Sequence, residues 1–448
     1  MNSQKLNYGK TFLLGFGFFG VMVAWSVYNS FVPLFLANRF NLDAALIGFF
    51  MTLDNIAALF IQPFIGSVSD RTRTKVGRRL PFILTGAPIA AIAFALVPVV
   101  AIPMLNIPDN AKLPLFIVCT MTFMLSMAVW RTPVVALMPD ITPSRFRSQA
   151  NGVINFMGGI GSITAFLIGG RLYTLNPAYP FWMASVLILV SVLMVFAFIR
   201  EPKIYENNPN LEKPDLWKSL VKIFKEKQHD TIRIFLAIFF WFVAMNAIET
   251  FFTLFANKSL GMSEGDSVSI LTLNSLAFVI MALPAGFIGG KIGRKKTISI
   301  GLVVMILVMS SIFVIPKDAL TTQLFTLPIL GQVPVVGLML FIAGLGWALI
   351  NINSLPMVVD LTDPLQIGTY TGLYYLFSTL AAIAGPNING LIVKLTGNNY
   401  SSIFIIGPIF MLAALISILG MKGGEATPKA DMIETRAETT IEHPENLK

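Results

Sequence analysis

Three ionisable side chains lie deep inside long apolar runs: Asp54, Arg131 and Glu249. The other Lys, Arg, Asp and Glu residues fall in polar intervals or at their edges. A charge at the centre of a bilayer costs about 2.5–3.5 kcal/mol on insertion scales, and such residues usually face a cavity or each other. Burial favours the neutral form of a carboxyl group, and a nearby cation favours the ionised form. An acid whose cationic partner moves between two conformations can therefore carry a proton. On this reading Asp54, Glu249 and Arg131 form the proton-coupling set. The competing reading is a structural Asp54–Arg131 pair, a packing role for Arg131 and a partly hydrated outer-gate residue at Glu249.

Aromatic and amide side chains interleave with these charges. Trp25, Tyr28 and Asn29 lie close together, and Trp130 adjoins Arg131. Trp347, Asn351 and Ser354 recur at i, i+4 and i+7, and Tyr370 and Tyr374 lie one helical turn apart. Sugar rings have apolar faces and a belt of hydroxyls, which suit aromatic platforms flanked by amides and charges. The expected substrate-binding set is Trp25, Tyr28, Asn29, Asp54, Arg131, Asn155, Asn246, Asn274, Trp347, Asn351, Tyr370 and Tyr374. Against it stands the habit of Trp and Tyr in membrane proteins of marking interfaces or packing helices.

Other chemistry is poorly supplied. The single cysteine, Cys119, excludes an internal disulfide and a Cys-based zinc site. His229 and His443 fall in a central loop and a tail, so no metal and no cofactor is expected. No His, Cys or paired-carboxylate constellation with catalytic spacing stands out, and an enzyme is not expected.

The elements that position these residues follow from composition. The chain has 448 residues, 55% hydrophobic and 12% charged, with mean hydropathy +0.75. Soluble domains carry about 25% charged residues, so an ordinary soluble enzyme is excluded. The expected fold is an all-α membrane protein with twelve transmembrane helices. Apolar runs near 11–36, 44–68, 80–102, 113–138, 148–173 and 180–199 precede a polar interval. Runs near 231–257, 265–290, 297–315, 333–358, 366–393 and 399–421 follow it. The first run lacks a signal-peptide cleavage site and is read as a retained span.

Basic residues mark cytoplasmic loops. With both termini inside, the loops after the second, fourth and eighth helices hold eleven Lys and Arg, whereas each outer loop holds one. The net charge of +9 is therefore read as topology, with no nucleic-acid partner expected. The loop after the tenth helix is acidic, with Asp360 and Asp363. Residues 200–230 are read as a cytoplasmic linker in which Trp217, Leu220, Val221 and Phe224 form an amphipathic stripe suited to the membrane interface. The alternative is a solvated linker with one apolar stripe. Residues 422–448 read as a disordered cytoplasmic tail.

An internal repeat appears at an offset of 220 residues. Gly66 maps to Gly286, Asp140 to Asp360, Gly152 to Gly372, and the run at Phe31–Phe35 to that at Phe251–Phe255. The expected domains are two pseudo-symmetric six-helix halves, 1–199 and 231–421. Parallel halves of this kind place a substrate site between them near the bilayer midplane. The offset pairs Asp54 with Asn274, Arg131 with Asn351, and Asn29 with Glu249. Each buried charge thus has an amide at its symmetric position, as expected if both halves face one cavity. Gly158, Gly159, Gly161, Gly286 and Gly290 are read as sites of close helix approach.

The loop after the second helix carries the most specific pattern. It runs through Gln62, Pro63, Gly66, Asp70, Arg71, Gly77, Arg78, Arg79, Pro81, Phe82 and Ile83. The architecture resembles the major facilitator superfamily, whose loop reads Gly, three residues, Asp-Arg, one residue, Gly-Arg-Arg. Here five residues separate Asp-Arg from Gly-Arg-Arg. This longer form resembles the plant sucrose carriers and their bacterial relatives, and more loosely the glycoside–pentoside–hexuronide:cation symporters. The specific likeness covers 62–83, 131–161 and, less strongly, 360–386. The second-half copy is shorter, with Gly290 in place of the Asp.

The resemblance implies a cytoplasmic gate at Asp70, Arg71, Arg78, Arg79, Asp140 and Arg147. Sodium-coupled members carry Asp, three residues, Asp-Pro on the second helix, where this chain has Ala58, Gln62 and Pro63. That departure favours protons. Plant sucrose carriers pair an acid with an Arg on the fourth helix; here only Arg131 remains, and Asp54 on the neighbouring helix is proposed for the role.

The expected function is proton-coupled symport of a disaccharide or other glycoside, sucrose- or maltose-like, by alternating access. The alternatives are a proton-driven exporter of amphipathic drugs and an uncoupled sugar facilitator. The expected partners are a sugar, a proton and the lipid bilayer, and the expected state is a monomer in a plasma membrane, the inner membrane of a bacterium.

Overall fold

The computed structural model describes residues 7–102, 104–142, 147–201, 221, 223, 225, 226, 228–328, 330–362 and 366–423, by backbone alone at 139, 147–149 and 367. Among them are twelve helices long and apolar enough to cross a membrane. They are α1 (Tyr8–Asn38), α2 (Ala44–Arg71), α3 (Leu80–Ala101), α4 (Asp109–Met138), α5 (Ala150–Leu175) and α6 (Tyr179–Phe198). The second set is α7 (His229–Ser259), α8 (Glu264–Ile292), α9 (Arg294–Val314), α10 (Val335–Asp360), α11 (Gly368–Leu395) and α12 (Tyr400–Leu419). In lipid a backbone polar group has no water to bond, so continuous helices are the economical solution.

The packing follows the repeat. In the first half α1 packs on α5 and α6, α3 on α4 and α6, and α2 on α4. The second half copies each pair: α7 on α11 and α12, α9 on α10 and α12, and α8 on α10. The apolar stripes between these pairs form one core running from Leu14 to Met421.

Two spans are broken, at symmetric places. In α2 a short piece, Ala44–Phe50, stops before a second piece at Leu53–Arg71. In α8 the pieces are Glu264–Ser269 and Leu271–Ile292. At the first break the Thr52 hydroxyl donates to the Phe49 carbonyl at 2.7 Å and accepts from Asn387 Nδ2 at 3.1 Å. Side-chain bonding back to the turn before is a known means of bending helices. Asp54 stands in the first turn of the second piece. Its repeat partner Asn274 stands in the first turn of the corresponding piece of α8.

A two-stranded antiparallel hairpin, β1 (Gln323–Leu327) and β2 (Gly331–Pro334), leads into α10. The sequence reading gives no strand here and starts the tenth apolar run at 333, inside β2. Gly331 closes the hairpin with φ +85°, a conformation open to glycine.

The halves meet along α1–α7, α2–α11 and α5–α8. In the last two pairs the short pieces of α2 and α8 supply most of the contact. These pieces lie at the end of the molecule opposite the basic loops. Toward the basic end the same helices present accessible side chains, among them Phe60, Phe64, Phe156, Leu283, Phe287 and Tyr375. The cleft between the halves is thus closed at the face opposite the basic loops and splayed at the basic face. Trp217, Leu220 and Phe224 of the expected amphipathic stripe, and the tail from 424, lie outside the described residues.

Candidate functional site

The break in α2 carries Asp54 into the interior, where it is 6% exposed and accepts from Asn55 Nδ2 at 3.0 Å. Arg131, from the last third of α4, is its charged neighbour. The two do not form a direct ion pair. The Arg131 guanidinium lies over the Trp25 ring of α1 at 5.7 Å, within the range of a cation–π contact. Tyr375 of α11, in the other half, also lies near it. Trp25 in turn lies 5.7 Å from Tyr28, whose ring is fully buried and whose hydroxyl donates to Met124 Sδ at 3.9 Å. One wall of the cleft therefore joins a carboxylate, a guanidinium and a half-buried indole.

The facing wall is aromatic. Phe242 of α7 meets Trp347 of α10 edge-on at 5.5 Å and Tyr374 of α11 at 6.2 Å. Tyr374 shares a hydrogen bond with Ser354 at 3.0 Å and stands 5.4 Å from Tyr375. Asn246 and Glu249 follow Phe242 along α7 at one and two turns. Asn246 Nδ2 donates to the Phe242 carbonyl at 2.7 Å. Glu249 is accessible, and among the described residues no side chain bonds to it.

Five other expected contact residues are placed as follows. Asn29 and Asn351 are half-buried. Asn155 is accessible on α5 and bonds the Asn151 carbonyl at 2.8 Å. Asn274 gives its amide to the Leu340 carbonyl at 3.1 Å, which ties α8 to α10. Tyr370 lies away from the central walls, at the basic end, where its hydroxyl donates to Gln228 Oε1 at 2.9 Å.

A second cluster stands at the basic end of the first half. Asp140, at the end of the α4 helix, receives Arg78 Nη2 at 2.5 Å and Arg79 Nε at 2.9 Å. Arg79 also reaches Asp70 at 2.5 Å and the Ser69 hydroxyl at 2.5 Å. Burial opposes the charge on Arg79, but Asp140 and Asp70 more than offset it and raise its pKa. Glu201, just beyond α6, accepts the backbone N–H groups of Arg78, Arg79 and Leu80 at 2.7–3.1 Å. It thereby caps the start of α3. Arg71 is exposed, and the side chain of Arg147 lies outside the described residues. In the second half Arg294 pairs with Asp360, the repeat partner of Asp140. Each of these pairs lies within one half of the molecule.

The family model for the Major Facilitator Superfamily matches residues 14–386 and 269–438. The chain belongs to the major facilitator superfamily. It is a multi-pass membrane transporter and not an enzyme. Its relatives in the superfamily are diverse. It is 25% identical over 288 residues to "Multidrug resistance protein 2" of Bacillus subtilis, covering 64% of this chain and 67% of that one. It is 21% identical over 300 residues to the isoprimeverose transporter of Lactiplantibacillus pentosus, covering 64% and 60%. A 95-residue stretch is 30% identical to the sucrose transport protein SUT1 of Oryza sativa subsp. japonica, covering 21% of this chain and 18% of the relative. Among solved structures, a bacterial homolog of the human lysosomal transporter Spinster, inward-facing and occupied, superposes with TM-score 0.70 at 13% identity, covering 95% of this chain and all of that one. The nucleoside transporter NupG superposes with TM-score 0.66 at 17% identity over 93% of this chain and all of that one. At these identities the superpositions speak for the major facilitator fold alone.

Within that fold, the sequence reading brought Asp54, Arg131, Trp25, Trp347 and Tyr374 to the cleft walls. It missed Tyr375, Phe242 and Glu201. Tyr375 follows Tyr374 directly, and one step of 100° along a helix is hard to assign without knowing which face turns inward. Phe242 is one phenylalanine among 37. Glu201 sits where any charged residue marks the end of a span.

Proposed function

We propose that this transporter couples proton movement to symport of a disaccharide or other glycoside by alternating access. The observation that carries the reading is the Asp54–Arg131 arrangement. A carboxyl group and a guanidinium lie near each other without closing a pair, beside an indole, and opposite an aromatic wall from the other half. A glycoside can stack its apolar face on such rings and bond its hydroxyls to the charged pair. Binding that draws Arg131 toward the sugar alters the field at Asp54, which supports a coupled proton. Glu249, one turn beyond Asn246 on the facing wall, is the second proton candidate.

The basic loops support a topology in which the basic face and both termini are cytoplasmic. The splayed cleft then opens inward. One chain contains both halves, which supports a monomer as the working unit. The Asp70–Arg78–Arg79–Asp140 cluster, together with Arg71 and Arg147, is proposed as the basic-face gate. It stiffens the first half here and is free to meet the second half when that face closes.

The test is uptake of a labelled sugar panel, including sucrose and maltose, into proteoliposomes with and without an inward proton gradient. Accumulation of one sugar only with the gradient supports the reading. A second reading, a proton-driven exporter of amphipathic drugs, draws on the Bacillus subtilis relative named for multidrug resistance. It takes first place if no sugar is accumulated and a lipophilic cation is instead expelled against its gradient.

A further inference from the structure

The face opposite the basic loops is closed by two seams that the repeat relates to each other. In one, Gly390 of α11 lies against the Ala44 carbonyl of α2, and Gly48 of α2 against the Pro386 carbonyl. In the other, Gly170 of α5 lies against Gly265 and Ser269 of α8. Gly170 and Gly390 are separated by the repeat offset of 220 residues, as are Ala44 and Glu264. A methyl group at Gly390, Gly48 or Gly170 would overlap the backbone of the partner helix. Each seam is therefore a backbone-to-backbone contact that opens or closes as a unit.

An acid stands at the start of each short helix and reaches across to the other half. Asp43 caps the short piece of α2 and pairs with Lys394 at the end of α11 at 3.1 Å. Glu264, the first residue of α8, gathers more. Its Oε1 accepts from Asn38 Nδ2 at 2.5 Å, and its Oε2 accepts from the Tyr173 hydroxyl at 2.5 Å. The Arg39 guanidinium lies 3.7 Å away. Asn38 and Arg39 close α1, and Tyr173 belongs to α5, so all three donors come from the first half. Asn38 also donates to Asn257 Oδ1 at 3.2 Å. Asn257 lies in a π-helical turn, Phe255–Ser259, that ends α7, and it is held there by a 2.9 Å bond to the Met262 carbonyl.

We propose that Glu264 is the principal latch of this face, a gating residue that must release Asn38, Arg39 and Tyr173 each time the cleft opens there. It touches no substrate. It sets the balance between the two access states, because its charge-assisted bonds exist only when the face is closed. The proposal rests on alternating access alone and not on which solute is carried.

The test uses the full chain in nanodiscs, in a Cys119→Ser background. Spin labels at Leu175→Cys, on the end of α5, and Lys317→Cys, beyond α9, report the distance between halves across this face. Glu264→Gln is expected to raise the population with this face open about tenfold, the weight of one or two charge-assisted bonds. Tyr173→Phe should act in the same direction but less, since the ring keeps its 4.7 Å stack on Phe31. Asp266→Asn is the control, because its carboxylate accepts from Ser263 at the start of its own helix at 2.6 Å. It should leave the distances as they are. A Glu264→Gln distribution that matches the unsubstituted protein overturns the proposal. If that variant does not fold, an unchanged distribution in Tyr173→Phe overturns it equally. The distances are read without substrate, so this failure is distinct from failure of sugar uptake.

Discussion

Asp54 and Arg131 are neighbours that do not touch, and that gap has a chemical use. Breaking a closed buried pair by removing one partner costs about 3–5 kcal/mol, and a closed pair resists taking up a proton. An open pair lets a small movement of Arg131 decide whether Asp54 holds its proton. Asp54→Asn should therefore abolish gradient-driven accumulation yet keep exchange of labelled for unlabelled substrate, which needs no net proton movement. Accumulation that survives in Asp54→Asn would remove Asp54 from the coupling set and leave Glu249. Glu201 acts differently. Its carboxylate answers three otherwise orphaned N–H groups at the start of α3. A hydrogen bond to a charged group contributes about 1.5–3 kcal/mol, so Glu201→Ala should cost at least ~2 kcal/mol and lower the melting temperature in detergent. An unchanged melting temperature would mean that water caps the helix as well as Glu201 does.

The broken helices show one element serving two ends. The break in α2 delivers Asp54 to the cleft, whereas the matching break in α8 delivers Asn274, which bonds Leu340 and holds α8 to α10. The spans themselves were legible in the sequence, because each is a long apolar run that leaves the backbone no choice but helix. The breaks were not. Met51 and Thr52 carry no Gly or Pro, and the bend depends on Asn387, which lies 335 positions away. The glycine seams were half-legible. Of the glycines that the sequence marks for close approach, Gly158, Gly159, Gly161, Gly286 and Gly290, Gly161 does lie against the Phe19 backbone of α1, whereas Gly290 faces open space and Gly286 has only ordinary contact. The sequence reading passed over Gly170 and Gly390, whose meaning comes from what they face in the other half. Gly170→Val and Gly390→Val should each hold the seam apart and slow transport about tenfold or more, as overpacking at a backbone contact does. Gly152→Ala, with open space around it, should transport normally. Transport rates in proteoliposomes check all three, and an active Gly390→Val would show that the seam need not close fully.

At the scale of the molecule, the two acids on the closed face stand one position apart in the repeat, Asp43 opposite the cap Ser263 and Glu264 opposite Ala44, and their chemistry differs. Glu264 collects side-chain donors across the cleft, whereas Asp43 spends one oxygen on its own helix. The backbone N–H of Leu46 is the largest single contact that holds the Asp43 carboxyl below its usual pKa, and the Lys394 ammonium and the N–H of Ala45 add to it. The sign follows from linkage. A carboxylate with a lowered pKa in the closed state stabilises that state fully above the ordinary carboxylate range. It loses that contribution only as pH falls through the lowered value. The Asp43–Lys394 pair is therefore constant around neutrality and cannot be the pH sensor of transport. Asp43→Asn keeps a good helix cap and removes only the charge. It should raise the open population of this face by a constant factor between about pH 5 and 8, given ordinary carboxylate pKa values near 4. A half-exposed pair contributes ~0–1 kcal/mol, so that factor should not exceed about five. The same spin-label distances, followed against pH, decide the matter. A gap between the unsubstituted protein and Asp43→Asn that closes within that range would place a pH switch on this face. A gap that closes only in stronger acid leaves the membrane-embedded carboxylates, Asp54 and Glu249, to answer for any pH dependence of uptake.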